Sequence, residues 1–167
     1  DPRHRMTAQT MRAVRFHGIG GPEALRCEML PVPEPGPGQV LVRVLAAGVN
    51  YADVMRRAGK PYPVPTPLPF RAGSEVAGEV CACGDGVDPA WLGRRVLGAD
   101  IMGGGYAQYI ALSCEVLLPW RAAGFSDFLA LLIALVAEVA FFPVFFLAGA
   151  TRALCAPARA FLVTFGC

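Results

Sequence analysis

Apolar and polar residues alternate in short runs over the first two thirds of the chain, and most runs end in glycine or proline. Residues 12–17 (RAVRFH) alternate as an edge strand does, and GIGG at 18–21 turns the chain. Residues 25–30 predict a second strand, closed by the run 31–38, which is too proline-rich for a sheet interior. The plainest strand is 40–47: Val40, Val42 and Val44 fall on one face, Leu41, Arg43 and Leu45 on the other. Asn50 is placed to cap a short helix running to Arg57, and Gly59 stands where helices end. PYPVPTPLP at 61–69 is an extended, stiff loop. Strands are also predicted over 74–82 (interrupted by Gly78), 94–99 and 106–112, with GDGV at 84–87 as a turn. Many short strands with close-set turns predict a mainly β fold, a small and partly open barrel.

The pattern changes after residue 125. Ser126 and Asp127 open a long apolar run, 128–150, which approaches the length of a membrane span. Glu138 near its middle is costly in lipid and Pro143 would kink it, so the run is read as a linker helix buried in the complete fold. Membrane contact through 128–150 stays open as the alternative. FLVT at 161–164 has the apolar brevity of a buried parallel strand. The chain thus divides into a polar, patternless tail (1–10), a barrel domain (11–125), and a linker helix with the start of a second domain (126–167).

Composition sharpens this division. Charged residues make up 17% of the 167 and apolar residues 54%, against roughly 25% and 45–50% in soluble domains, which points to a body cut from a larger one. A net charge of +2 with scattered arginines gives no footprint for nucleic acid. Cys27, Cys81, Cys83, Cys114, Cys155 and Cys167 contain no C-x-x-C pair, and no secretory signal is apparent. Reduced thiols and a cytoplasmic location are expected. Cys81 and Cys83 fall on opposite faces of a strand, so they do not share a metal.

Several side chains have a candidate chemical role or a plainer structural one. The Asn50 amide donates and accepts at once, which suits a carboxamide or ribose partner; capping the helix is its other use. Asp53 falls in the first helical turn, where the dipole favours a carboxylate. Glu75 is either a cleft carboxylate or a buried structural hydrogen-bonding group. Tyr62 has a phenol suited to protonating a reduced substrate, or is a loop tyrosine packed on prolines. Tyr106, like Tyr109, lies on an alternating strand and reads as a packing residue.

Four segments, PEPGPGQVLVRV (33–44), AAGVNYADVMRRAG (46–59), RAGSEVAGEV (71–80) and GGGYAQYIAL (103–112), carry a resemblance. Together they resemble the GroES-like N-terminal half of the medium-chain dehydrogenase/reductase superfamily, in its zinc-free quinone oxidoreductase branch. The likeness is strong over 11–118 and faint afterward. It implies NADPH as cofactor and a quinone or other α,β-unsaturated carbonyl as small-molecule acceptor, with possible homo- or heterodimers. It also implies that 126–167 leads into an incomplete Rossmann domain. Asn50 resembles the asparagine beside the nicotinamide, at the position of a metal-binding cysteine in the zinc alcohol dehydrogenases. Ser74-Glu75 falls where those enzymes carry His-Glu, and no cysteine lies in 95–103, where a structural zinc lobe would sit. No metal is therefore expected. The resemblance makes Asn50, Ser74 and Glu75 the expected cofactor contacts, and Tyr62, like the tyrosine of an AG-x-YP loop shifted by Pro61, the expected catalytic residue.

The end of the chain departs from the family. Phe165 stands at the first glycine of the phosphate loop, 161–167 contains no G-x-G-x-x-G, and Glu138, Val139 and Ala140 replace a small-residue-and-threonine turn. Weak or absent NADPH binding by this chain is expected. An enoyl reductase fragment, and a non-catalytic isoform that dimerises or meets a membrane through 128–150, are the alternative readings.

Overall fold

The computed structural model describes residues 10–119 and 162–163. In chain order the strands are β1 (Thr10–Phe16), β2 (Arg26–Pro31), β3 (Gln39–Gly48), β4 (Phe70–Arg71), β5 (Glu75–Cys83), β6 (Arg95–Ala99), β7 (Tyr109–Ser113), β8 (Leu117–Pro119) and β9 (Leu162–Val163), with the helix α1 (Tyr51–Arg57) between β3 and β4. Two antiparallel sheets result, one ordered β2-β1-β4, the other β7-β3-β5-β6-β8 with β9 also on β3. The mainly β architecture agrees with the strand-and-turn pattern.

The segment 106–108 ties the sheets together. Val14 N–H donates to the Tyr106 carbonyl (2.8 Å), Gln108 N–H to Arg12 (3.1 Å), and Val44 N–H to Gln108 (2.8 Å). Backbone groups of β1 and β3 are thereby satisfied from one short stretch, as buried amides require. It is also why regular pairing in β7 begins only at Tyr109. Between the sheets lies a core that includes Phe16, Val40, Val42, Val76, Val96 and Leu112.

β3 departs from simple alternation. Its register with β5 shifts between Leu41 and Val42 and again between Val44 and Ala46. Leu41 is as buried as Val40 and Val42 although alternation puts it on the other face, while Leu45 stays 41% exposed. β4 and β8, two and three residues long, were too short to show a period. Gly59 takes φ +68° just past α1, as expected.

Leu162 and Val163 differ from expectation in direction. They pair antiparallel with Gly48 and Ala47, not as a parallel strand. The β7 ladder ends at Arg43 and Gln108 takes the Val44 N–H, so β9 meets the edge of β3 farther on, at Ala47 and Gly48. The apolar run 128–150, the proposed linker helix and the tail 1–9 lie outside the described residues. Among the described residues, no helix is long and apolar enough to cross a membrane.

Candidate functional site

The site forms where β3 ends, α1 begins and β5 starts. Gly48 pairs with Glu75, which brings Asn50, two residues beyond the strand, beside the Ser74-Glu75 step. Asn50 occupies the N-cap of α1 in an extended conformation. Asp53, three residues on, returns its carboxylate to the Asn50 backbone N–H at 3.0 Å. A side-chain acceptor at that spacing satisfies a helix-start donor that lacks an intrahelical partner.

Asp53 does more than cap. Its Oδ2 also accepts the Tyr106 hydroxyl at 2.8 Å, and its Oδ1 accepts the Ser74 hydroxyl at 3.2 Å. Asp53 and Tyr106 are 8% and 5% exposed, so this is a buried polar cluster with a carboxylate at its centre. Burial, and then the Asp53 charge, push the Tyr106 phenol well above its ordinary range. Tyr106, expected only to pack, therefore packs with its ring and anchors the cluster with its hydroxyl.

Glu75 is the second buried acid. Its pKa is raised by burial and by the Asp53 charge, opposed by a hydrogen bond from the Asn50 side chain. Its Oε2 has no hydrogen-bond partner. A buried carboxyl oxygen without a partner is costly when ionised, which favours the neutral acid.

Arg56, one turn beyond Asp53, is 2% exposed. Its Nε donates to Thr66 Oγ1 at 3.0 Å, its Nη2 to the Pro65 carbonyl at 2.8 Å, and its Nη1 to the Ile101 carbonyl. The guanidinium lies 4.0 Å from the Phe70 ring centroid and 5.1 Å from that of Tyr62. Burial lowers its pKa, and the nearby Tyr62, Asp53 and Asp100 charges oppose the shift.

The structure thus brings Asn50, Ser74 and Glu75 together. Tyr62, on the proline loop, lies with its ring against Arg56. Asp53 as a hub, Tyr106 and Arg56 were missed as site residues. The Asn50-x-x-Asp53 spacing was the one local signal for the hub, since it has capping-box form. Among the described residues, no group of three or more His, Cys, Asp or Glu side chains is gathered as metal ligands would be. A cleft lined by Gln39, Asp88, Trp91 and Cys114 lies at the other end of β3 and shares none of these residues.

This geometry falls within a known family. Residues 36–122, just over half of the chain, match the alcohol dehydrogenase GroES-like domain. The chain belongs to this family, the N-terminal domain of the medium-chain dehydrogenase/reductases, on its quinone oxidoreductase side. It is 42% identical over 106 residues to the quinone oxidoreductase of Rattus norvegicus, covering 63% of this chain and 32% of that one. It is 37% identical over 128 residues to the synaptic vesicle membrane protein VAT-1 homolog of the same species, covering 75% and 31%. Among solved structures, the human synaptic vesicle membrane protein VAT-1 homolog-like protein superposes with a TM-score of 0.66 at 32% identity, covering 71% of this chain and 38% of its own. The match spans about a third of the length of the curated relatives.

Proposed function

We propose that this domain is the substrate-side wall of an oxidoreductase that transfers hydride from NADPH to a quinone or another α,β-unsaturated carbonyl. The observation that carries the reading is the convergence of Asn50, Ser74 and Glu75 at one end of β3, on a hub held by Asp53. Asn50 has the donor and acceptor needed to align a carboxamide, and Ser74 and Tyr62 line the acceptor side. Glu75 is a cofactor-side contact that acts through Asn50. The dinucleotide supplies the hydride; the protein orients the reacting partners and excludes water. Asn50 and Ser74 are poor zinc ligands, so the proposed reaction needs no metal. Cys27, Cys81, Cys83 and Cys114 are free thiols, in keeping with the cytoplasmic location we propose.

The test is a chimera in which residues 11–119 replace the matching barrel of the rat quinone oxidoreductase. NADPH-dependent quinone or enone reduction, lowered at least tenfold by Asn50→Ala, is the expected result. A folded, NADPH-binding chimera that reduces neither acceptor would overturn the proposal. Reduction of acyl-thioester enoyl substrates alone would transfer it to the enoyl reductase reading.

A further inference from the structure

Exposure alternates along the proline loop. Pro61, Pro63, Pro65 and Pro67 are exposed, while Tyr62, Val64 and Thr66 are partly buried, so these three share the inward face of an extended segment. Arg56 meets that face twice. Its Nε donates to Thr66 Oγ1 at 3.0 Å, and its guanidinium lies 5.1 Å from the Tyr62 ring centroid. The guanidinium is itself fixed: the Pro65 and Ile101 carbonyls accept from its Nη2 and Nη1, and the Phe70 ring centroid is 4.0 Å away. Phe70 is 5% exposed and packs on the fully buried Phe16, with 5.4 Å between ring centroids. A continuous series of contacts, Phe16 to Phe70 to Arg56 to Tyr62, thus runs from the core to the loop. The Tyr62 hydroxyl, by contrast, bonds to no other group among the described residues. The ring is gripped and its polar end is left over.

We propose that Arg56 is the positioning residue for Tyr62, holding the ring by its π face so that the hydroxyl stays free to donate to an acceptor oxygen. A cation against an aromatic face attracts the ring without using the hydroxyl. A hydrogen bond to the phenol would instead engage the one group that a ligand needs. Arginine suits this task because its planar fork serves the two carbonyls and Thr66 while its faces remain for the rings. The donation to an acceptor rests on the role proposed for Tyr62; the dependence of the ring on Arg56 does not.

The experiment labels the four tyrosines of the full 167-residue protein with meta-fluorotyrosine and follows them by fluorine NMR, Tyr62 being assigned by its loss in Tyr62→Phe. In wild type the Tyr62 signal should stand away from that of an unfolded tyrosine, with nuclear Overhauser contacts to the Arg56 side chain. Thr66→Val removes one loop bond and leaves the cation against the ring, so the signal should hold. Arg56→Gln keeps an NH2 donor and loses the cation. It should move Tyr62 to the unfolded position while Tyr106, bonded to Asp53, stays in place and reports an intact fold. An unfolded-type Tyr62 signal or no Overhauser contact in wild type, or equal displacement in Thr66→Val and Arg56→Gln, would overturn the proposal. The wild-type measurements require no variant to fold. Duroquinone is the acceptor probe, since its fully methylated ring has no open position for the free thiols. Tyr62→Phe should weaken its binding about tenfold where Arg56 is present, the worth of roughly one hydrogen bond, and by no more than about twofold in Arg56→Gln. An equal loss in both backgrounds would overturn the positioning. No loss in either, beside an intact Tyr62–Arg56 contact, would refute the acceptor role of Tyr62 while upholding the positioning.

Discussion

The Tyr106 hydroxyl donates a hydrogen bond to Asp53 across 53 residues of sequence, at 2.8 Å and buried. With Ser74 on the other carboxylate oxygen, this bond joins the start of α1, the approach to β5 and the approach to β7 at one side chain. Asp53→Ala would leave two side-chain donors and a helix-start N–H without an acceptor. We expect it to cost about 3–4 kcal/mol, against about 1–2 for Tyr106→Phe, which removes a single bond. Urea denaturation of both variants checks this. Equal losses would show that Asp53 is a cap and not a hub.

How legible this site was depended on the range of the interactions. Asn50, Ser74 and Glu75 lie in short glycine-bounded segments whose residue types could be read directly. Asp53 and Tyr106 each had an adequate local explanation, a carboxylate in a first helical turn and an aromatic on an alternating strand. Only the barrel's closure through 106–108 shows that they meet. Arg56 and Arg57 both stand in the last turn of α1, where cations complement the helix dipole, so position along the helix does not single out Arg56. Its true partners, the Pro65 and Ile101 carbonyls, are backbone atoms that no residue pattern announces. In β3, alternation put Leu41 on one face with Arg43 and Leu45, yet Leu41 is buried and those two are not, which no period of two shows.

Stability should fall with rising pH through Glu75. Its pKa in the folded protein is raised above the ordinary 4.5 by burial. The folded state therefore holds the proton at a pH where the unfolded chain has released it. The stabilisation is complete below the unfolded value and is lost as pH rises through the folded one. Relative to Glu75→Gln, wild type should lose stability over that window, with a slope no steeper than about 1.4 kcal/mol per pH unit. Parallel stability–pH curves for the two proteins would contradict the assignment.

Arg56 holds the 61–69 loop by geometry as much as by charge. The planar fork reaches Thr66, Pro65 and Ile101 while its face lies on Phe70. A lysine presents a compact ammonium that cannot serve all four. Arg56→Lys should cost about 2–3 kcal/mol and expose the proline loop to proteolysis. Limited proteolysis with mapping of the first cut checks this. A first cut elsewhere, at wild-type rate, would show that the loop is held by its prolines alone.

Cofactor affinity separates what the barrel contributes from what a phosphate loop contributes. Dinucleotide sites draw much of their binding from backbone amides and a helix N-terminus around the pyrophosphate. Glycines let the phosphate approach there, and the 161–167 stretch has Phe165 where the family resemblance places the first of them. Asn50, Ser74 and Glu75 can meet only the nicotinamide end. A micromolar dissociation constant corresponds to about 8 kcal/mol, far more than a few hydrogen bonds worth about 1 kcal/mol each supply. Titration calorimetry of the 167-residue polypeptide should therefore show no saturable NADPH binding in the micromolar range. Saturation there would mean that the pyrophosphate is held by groups other than a glycine-rich loop.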